Sequence, residues 1–165
     1  MKKQAKIVVS KNGPYLVSGS LPLGHEVSVV GGEGEPEQWV KGKSYPCQKA
    51  YALCRCGQSK HKPFCDSTHA RVGFDGTEVA SRKPYAEQAE TTRGPGVDLT
   101  DAEALCSSAG FCLPKGGTWD LTSGSADPEK RKIAIEQACN CPSGRLVAYD
   151  KQTGKPIDMA CCPQV

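Results

Sequence analysis

Short apolar runs alternate with turn residues through the first third of the chain. Lys6 to Ser10 and Tyr15 to Ser18 flank Asn12-Gly13-Pro14, and after a further turn His25 to Val30 alternates again. β-Branched residues punctuated in this way by Asn, Gly and Pro predict a run of short strands. Gly31 to Glu37 reads as a loop, and Tyr51 to Cys54 as a strand that delivers its end into a group of cysteines. The second half has a helical texture. Thr100 followed three residues later by Glu103 has the form of a capping box, which predicts a short helix from Asp101 towards Cys106. Asp127 before Pro128 is a side-chain cap followed by proline at the first helical position, and Ile133, Ile135 and Ala138 give the helix that follows a partly apolar face. That helix should run into Cys139 and stop at Cys141-Pro142-Ser143-Gly144, with a strand from Leu146 to Tyr149 after it. Between the two textures, Arg93-Gly94-Pro95-Gly96 is the expected domain boundary, dividing the chain into 1–96 and 97–165. The predicted fold class is α+β: a small β-rich domain followed by a small α+β domain.

Composition shows what must hold such domains together. The 165 residues are 38% apolar and 6% aromatic, lean for one large core, and 18 Gly with 12 Pro imply many turns. Small loop-rich domains usually need a metal, a cluster or disulfides as a staple, and ten cysteines are available. Lys2, Lys3 and Lys6 are followed only by Ile7-Val8-Val9, too brief an apolar run for a signal peptide or a membrane span. A soluble, cytoplasmic protein with reduced thiols is therefore expected, which favours metal ligation over disulfides. The net charge of +3 comes from 21 basic and 18 acidic residues mixed along the chain, a balance that does not point to nucleic acid. The sequence carries no phosphate-binding glycine loop, Cys-x-x-Cys pair or Gly-x-Ser-x-Gly turn, so no enzymatic activity is expected.

Four potential ligands fall within sixteen residues: Cys54, Cys56, Cys65 after eight intervening residues, and His69 after three more. Three thiolates and an imidazole suit tetrahedral zinc or iron, so the ligand set alone leaves both open. His61 lies between Lys60 and Lys62 and reads as a solvated loop residue, as does His25, which has no cysteine nearby. The surrounding residues carry a resemblance. The segment YALCRCGQSKHKPFCDSTH, with Ser59, Lys62-Pro63-Phe64 and Cys65-Asp66, resembles the CDGSH (NEET) iron-sulfur family. The resemblance implies a 2Fe-2S cluster held by Cys54, Cys56, Cys65 and His69, in a small β-rich fold that pairs into a homodimer and acts in electron or cluster transfer with a redox partner or a cluster acceptor. Ser67 departs from the family's pattern, which has glycine there. An imidazole is neutral where a thiolate is negative, so one His raises the reduction potential relative to an all-Cys cluster. It also makes the cluster acid-sensitive, because a protonated imidazole cannot bind metal. A zinc-stapled interaction module, docking on an acidic partner through Arg55, Lys60 and Lys62, is the alternative.

A second set, Cys106, Cys112 and Cys141, resembles a divergent single-cluster ferredoxin-like domain from Leu99 to Asp150, in which a tight cysteine loop and a distant Cys-Pro converge on one cluster. Ala109 occupies the place of the second ligand of a four-cysteine ferredoxin. Three thiolates suit a 3Fe-4S cluster, whereas a 4Fe-4S cluster needs Cys139, Cys161, Cys162 or a non-protein ligand as well. The other reading is a domain that keeps the fold without a cluster, its thiols buried as small apolar groups. Cys47 reads as an isolated thiol. Trp39, Trp119 and Phe74 either shield these sites or serve as plain core residues.

Overall fold

The computed structural model describes residues 5–157, so Cys161 and Cys162 lie outside the described residues. The fold is α+β and falls into two compact units: residues 1–24 with 44–81, and residues 25–43 with 82–165. Among the described residues, no helix is long and apolar enough to cross a membrane.

The first unit is built on an antiparallel sheet in the order β1 (Lys6–Val9), β2 (Tyr15–Ser18), β5 (Ala50–Leu53). Asn12, at φ 48°, turns the chain between β1 and β2 and brings Val9 opposite Tyr15. β2 then pairs with β5, Tyr15 opposite Leu53, so the ligand segment begins at the end of the central pairing. The sheet buries little. Among the described residues of this unit Val17 is the one apolar side chain that is fully buried, while Ile7, Val8, Val9 and Leu16 remain exposed. A single one-turn helix, α1 (Thr68–Arg71), completes the unit.

The second unit holds the hydrophobic core. Its sheet runs β6 (Glu90–Arg93), β7 (Val97–Asp101), β8 (Leu146–Asp150), antiparallel throughout. Alternation puts Val97 and Leu99 of β7 and Leu146 and Ala148 of β8 on one face, where they meet Leu121 of α2 (Thr118–Ser123) and Ala134, Ile135 and Ala138 of α3 (Pro128–Asn140). α3 begins as its sequence predicts. The Asp127 carboxylate accepts the Glu129 N–H at 2.8 Å, and Pro128 fills a position whose N–H would have had no helical partner. A hairpin of β3 (Gly24–Val30) and β4 (Pro36–Ser44) belongs largely to this unit. Trp39 stacks at 4.5 Å on Phe111, its indole N–H donates to the Asn140 carbonyl at 3.0 Å, and the Glu33 carboxylate accepts the Lys115 N–H at 2.9 Å.

Three sequence expectations change here. Arg93-Gly94-Pro95-Gly96 is the turn of a hairpin, joining β6 to β7 within one sheet; the compact units divide instead at residues 81 and 82. The glycines answer to close packing, since a Cβ on Gly94 would strike the Thr122 carbonyl and one on Gly96 the Ser125 carbonyl. The buried Ser125 hydroxyl accepts the N–H groups of Gly96 and Val97 at 3.0 and 3.2 Å. The capping-box helix from Asp101 is replaced by a single 3-10 turn over Glu103–Leu105, because Thr100 is committed to β7 and pairs with Val147. Finally, the segment after Gly31 becomes a strand from Pro36, although Glu37, Lys41 and Lys43 mask its pattern.

Candidate metal centre

The ligand segment is closed by main-chain bonds before any metal is considered. Cys54 N–H donates to Pro63 O at 2.8 Å, Cys65 N–H donates to Ala52 O at 2.9 Å, and Leu53 forms an isolated bridge with Phe64. Residues 63–65 thus return alongside the end of β5 and bring Cys65 back to Cys54. Phe64 anchors the return by edge-on contact with Tyr45 and Tyr51, at 5.4 and 6.2 Å. The buried Ser59 hydroxyl donates to Phe64 O at 2.7 Å and accepts the His61 N–H at 3.0 Å. The Asp66 carboxylate accepts the N–H of Lys60 and the N–H of Thr68, both at 3.0 Å. The Lys60 N–H first, then the hydroxyl and N–H of Thr68, hold Asp66 well below the usual carboxylate range. Its bracing is present above the ordinary carboxylate pKa and is lost as pH falls through the depressed folded-state value.

The four ligands fall into two pairs. Cys54 Sγ and Cys56 Sγ are 3.8 Å apart, and Cys65 Sγ is 3.4 Å from His69 Nδ1. Two sulfurs on one tetrahedral metal, each bonded at about 2.3 Å, stand about 3.8 Å apart; a sulfur and a ring nitrogen stand about 3.5 Å apart. Each pair is therefore spaced to share one metal. Among the described residues, no group of three or more His, Cys, Asp or Glu side chains is arranged to hold one ion. By donor type and pair spacing the set fits a tetrahedral metal or an iron-sulfur group. Gln58 N–H points at Cys56 Sγ from 3.5 Å and Ser67 N–H at Cys65 Sγ from 3.4 Å, bonds that spread negative charge off thiolates. Burial opposes ionisation of the Cys54 thiol, yet the N–H of Ser59, the Cys56 side chain, the Gly57 N–H and the charge of Lys62 together pull it below its ordinary value.

The backbone at Ser67 shows why glycine suits that place. It sits at φ 66°, in the left-handed region that glycine enters without penalty and serine does not. The expected result for Ser67→Gly is a stabler ligand loop, by about 1 kcal/mol, read as slower loss of iron to a chelator. Equal loss rates in parent and variant would show that the loop has relaxed this strain.

Arg55, between two of the ligands, is not available to a partner. Its guanidinium donates to Gly76 O at 2.7 Å and Ser10 O at 3.3 Å and lies 5.7 Å from the ring centroids of both Tyr15 and Phe74. It fastens residues 74–76 to the sheet, whereas Lys60 and Lys62 are exposed. Phe74 finds its place as one wall of that cation site. His61 and His25 are exposed, as read from sequence. Cys47 is exposed and lies 3.6 Å from Ser20 O.

The second set, Cys106, Cys112 and Cys141, lies in the second unit. Cys112 and Cys141 pack against the core, whereas Cys106 is exposed. Burial pushes the Cys112 thiol up, while the Ser108 N–H and then Arg145 pull Cys106 down. The Thr118 N–H holds the Cys112 carbonyl at 3.0 Å. Cys139 also packs on the core, its thiol 3.6 Å from Ile157 O.

No curated protein matches the chain. Residues 12–70 match the family of the iron-binding zinc finger CDGSH type, and residues 92–151 match the divergent 4Fe-4S mono-cluster family. The chain is thus an iron-sulfur protein in which a CDGSH-type iron-binding segment precedes a divergent 4Fe-4S mono-cluster segment.

Proposed function

We propose that the protein holds a 2Fe-2S cluster through Cys54, Cys56, Cys65 and His69 and works in electron transfer or cluster transfer, without enzymatic activity of its own. The observation that carries this reading is the division of the four donors into two pairs, at 3.8 and 3.4 Å, each spaced for one metal. Tetrahedral zinc would give the same spacings, and the support for iron is the match of residues 12–70 to an iron-binding family. A bound 2Fe-2S cluster supplies one-electron chemistry. The protein's own part is to present three thiolates and one neutral imidazole, to aim the N–H groups of Gln58 and Ser67 at two of the sulfurs, and to keep the loop rigid through Ser59 and Asp66. His69 gives this centre its second task, since protonation of the ring withdraws a ligand and releases iron as the pH falls.

Cys106, Cys112 and Cys141 hold a second cluster in this reading, of 3Fe-4S type or of 4Fe-4S type with one further ligand. Its support is the match of residues 92–151 to a mono-cluster family. The exposed lysines 60 and 62 on the ligand loop suit an acidic redox partner or cluster acceptor. Val8 and Leu16, cross-strand partners exposed at 38% and 45%, leave apolar surface on one face of the first sheet that a second copy of the chain would cover in a homodimer. A reducing compartment such as the cytoplasm suits thiolate ligands.

Iron and acid-labile sulfide counted per chain test the whole reading. About five or six irons are expected, with visible absorption that bleaches on reduction. About two irons would remove the second cluster and keep the first; a colourless, zinc-loaded protein would remove both.

A further inference from the structure

His69 is carried by a slight element. α1 has four residues, a single turn, which is too short to hold itself by its own hydrogen-bond ladder. Ahead of it the Asp66 carboxylate fixes the Thr68 N–H, and behind it the Phe74 N–H donates to the His69 carbonyl at 3.0 Å. Residues 74–77 then form a strap, shaped by Asp75, whose carboxylate accepts the Thr77 N–H and hydroxyl at 2.9 and 2.7 Å. Two side chains from elsewhere in the unit grip this strap at one residue. The Arg55 guanidinium donates to Gly76 O at 2.7 Å, and the Asn12 side-chain oxygen accepts the Gly76 N–H at 3.1 Å. The approach is so close that a Cβ on Gly76 would stand 2.6 Å from Arg55 Nη1 and 2.9 Å from Phe74 Cε1. Arg55 is fixed in turn by Ser10 O at 3.3 Å and by the rings of Tyr15 and Phe74, each 5.7 Å away. Its planar fork thus spans carbonyls from two distant segments, which the point charge of a lysine does not do.

We propose that Arg55 is a positioning residue that governs release of the metal from His69: it holds the strap 74–77 closed behind α1, and the opening of that strap sets the rate at which His69 departs. This rests on Cys54, Cys56, Cys65 and His69 being the ligands. Arg55 is rooted between Cys54 and Cys56, whereas the strap follows Cys65 and His69, so one side chain ties the backbone of one donor pair to the backbone of the other. Departure of the imidazole requires α1 to shift. It cannot shift far while the Phe74 N–H stays on His69 O and Gly76 stays on Arg55. The device acts on a rate, because none of these bonds changes which atoms ligate the metal. Local opening of a few hydrogen bonds is the kind of motion that admits a competing acceptor without unfolding the rest of a domain.

The test is the rate of iron transfer from the full-length, iron-loaded protein to a chelator at neutral pH, together with hydrogen exchange read by mass spectrometry. Arg55→Gln should keep the parent's visible spectrum and lose iron about tenfold faster, the effect of one charge-assisted hydrogen bond. Peptides covering residues 70–79 should lose protection, while those covering 15–18 and 50–53 keep it. In Asn12→Gly the second grip is removed and glycine suits the φ of 48° there, so release should be about fivefold faster. That variant decides the question if Arg55→Gln does not accumulate. Arg55→Lys, which keeps the charge and loses the fork, should also release iron faster than the parent; a parental rate would mean that charge alone is at work and would overturn the clamp. Lost protection over 70–79 at a parental release rate would overturn the proposal, since the strap would then open without freeing His69. Faster release with protection lost over 15–18 and 50–53 as well would overturn it too, because the variants would merely loosen the whole unit. A parent that binds no iron would overturn the assignment of the ligands, and this inference with it.

Discussion

Removing the cluster from the protein is expected to unfold the first unit while the second stays folded. The asymmetry follows from where the apolar residues go. Ten of the fully buried apolar side chains, among them Leu99, Leu121, Ile135 and Leu146, lie in the second unit, against Val17 alone in the first. Two further buried residues of the first unit, Ser59 and Thr68, are polar and belong to the ligand segment itself. A sheet of three strands of four residues each, with most of its apolar side chains exposed, cannot offset the conformational entropy of its own chain by burial. Structural metal sites contribute roughly 10–16 kcal/mol of binding free energy, as much as the whole stability of a typical domain. Loss of the group should therefore cost the first unit its fold. Hydrogen exchange read by mass spectrometry checks this. After acid or chelator treatment, peptides covering residues 50–77 should lose protection, and those covering 128–150 should keep it. Cys65→Ala should give the same pattern without any treatment. Retained protection over 50–77 in the iron-free protein would mean that the loop's own hydrogen bonds suffice.

His69→Cys is expected to give a protein that keeps its colour in mild acid and has a lower reduction potential. The ring nitrogen nearest the Cys65 sulfur, Nδ1 at 3.4 Å, is the atom that binds iron in the proposed centre. An imidazole binds as a neutral ligand, so its hold on iron is full at high pH and is lost as protons compete for the same lone pair. A thiolate in its place adds a negative charge to the cluster and lowers the potential, by an amount on the order of 100 mV or more. The rate at which visible absorption decays after a drop in pH separates the two proteins. The parent should bleach faster, and equal rates would refute the part assigned to His69.

The candidate centre was legible in the sequence because ligand identity and spacing are local quantities. Cys54, Cys56, Cys65 and His69 all lie on one short segment, and the main-chain bonds that close it join residues no more than thirteen positions apart. The helix from Pro128 was legible for the same reason, its cap and its first residue being neighbours. What the sequence hid depends on distant partners. Gly94 and Gly96 look like a linker until Thr122 and Ser125 are seen packed against them. Thr100 and Glu103 satisfy a helix-start pattern, yet Thr100 is held in a strand by Val147, forty-seven positions away. Trp39 shows no sign of its role until Phe111 and Asn140 stand beside it. Ser67 could be seen as unusual from the sequence, but its left-handed backbone, the reason glycine suits that place, could not.

The hairpin β3–β4 has a consequence for how the protein can be divided. The chain passes between the two units at residues 24 and 25, at 43 and 44, and at 81 and 82, so they are stitched together at three points instead of being strung end to end. A fragment ending at Ser81 would carry Trp39 with nothing to stack on, and a fragment starting at Arg82 would leave Phe111 bare. Neither piece inherits a finished surface. A protease that nicks the chain near residue 82 should thus leave two fragments that stay together until they are denatured, because the first carries the hairpin that completes the unit formed by the second.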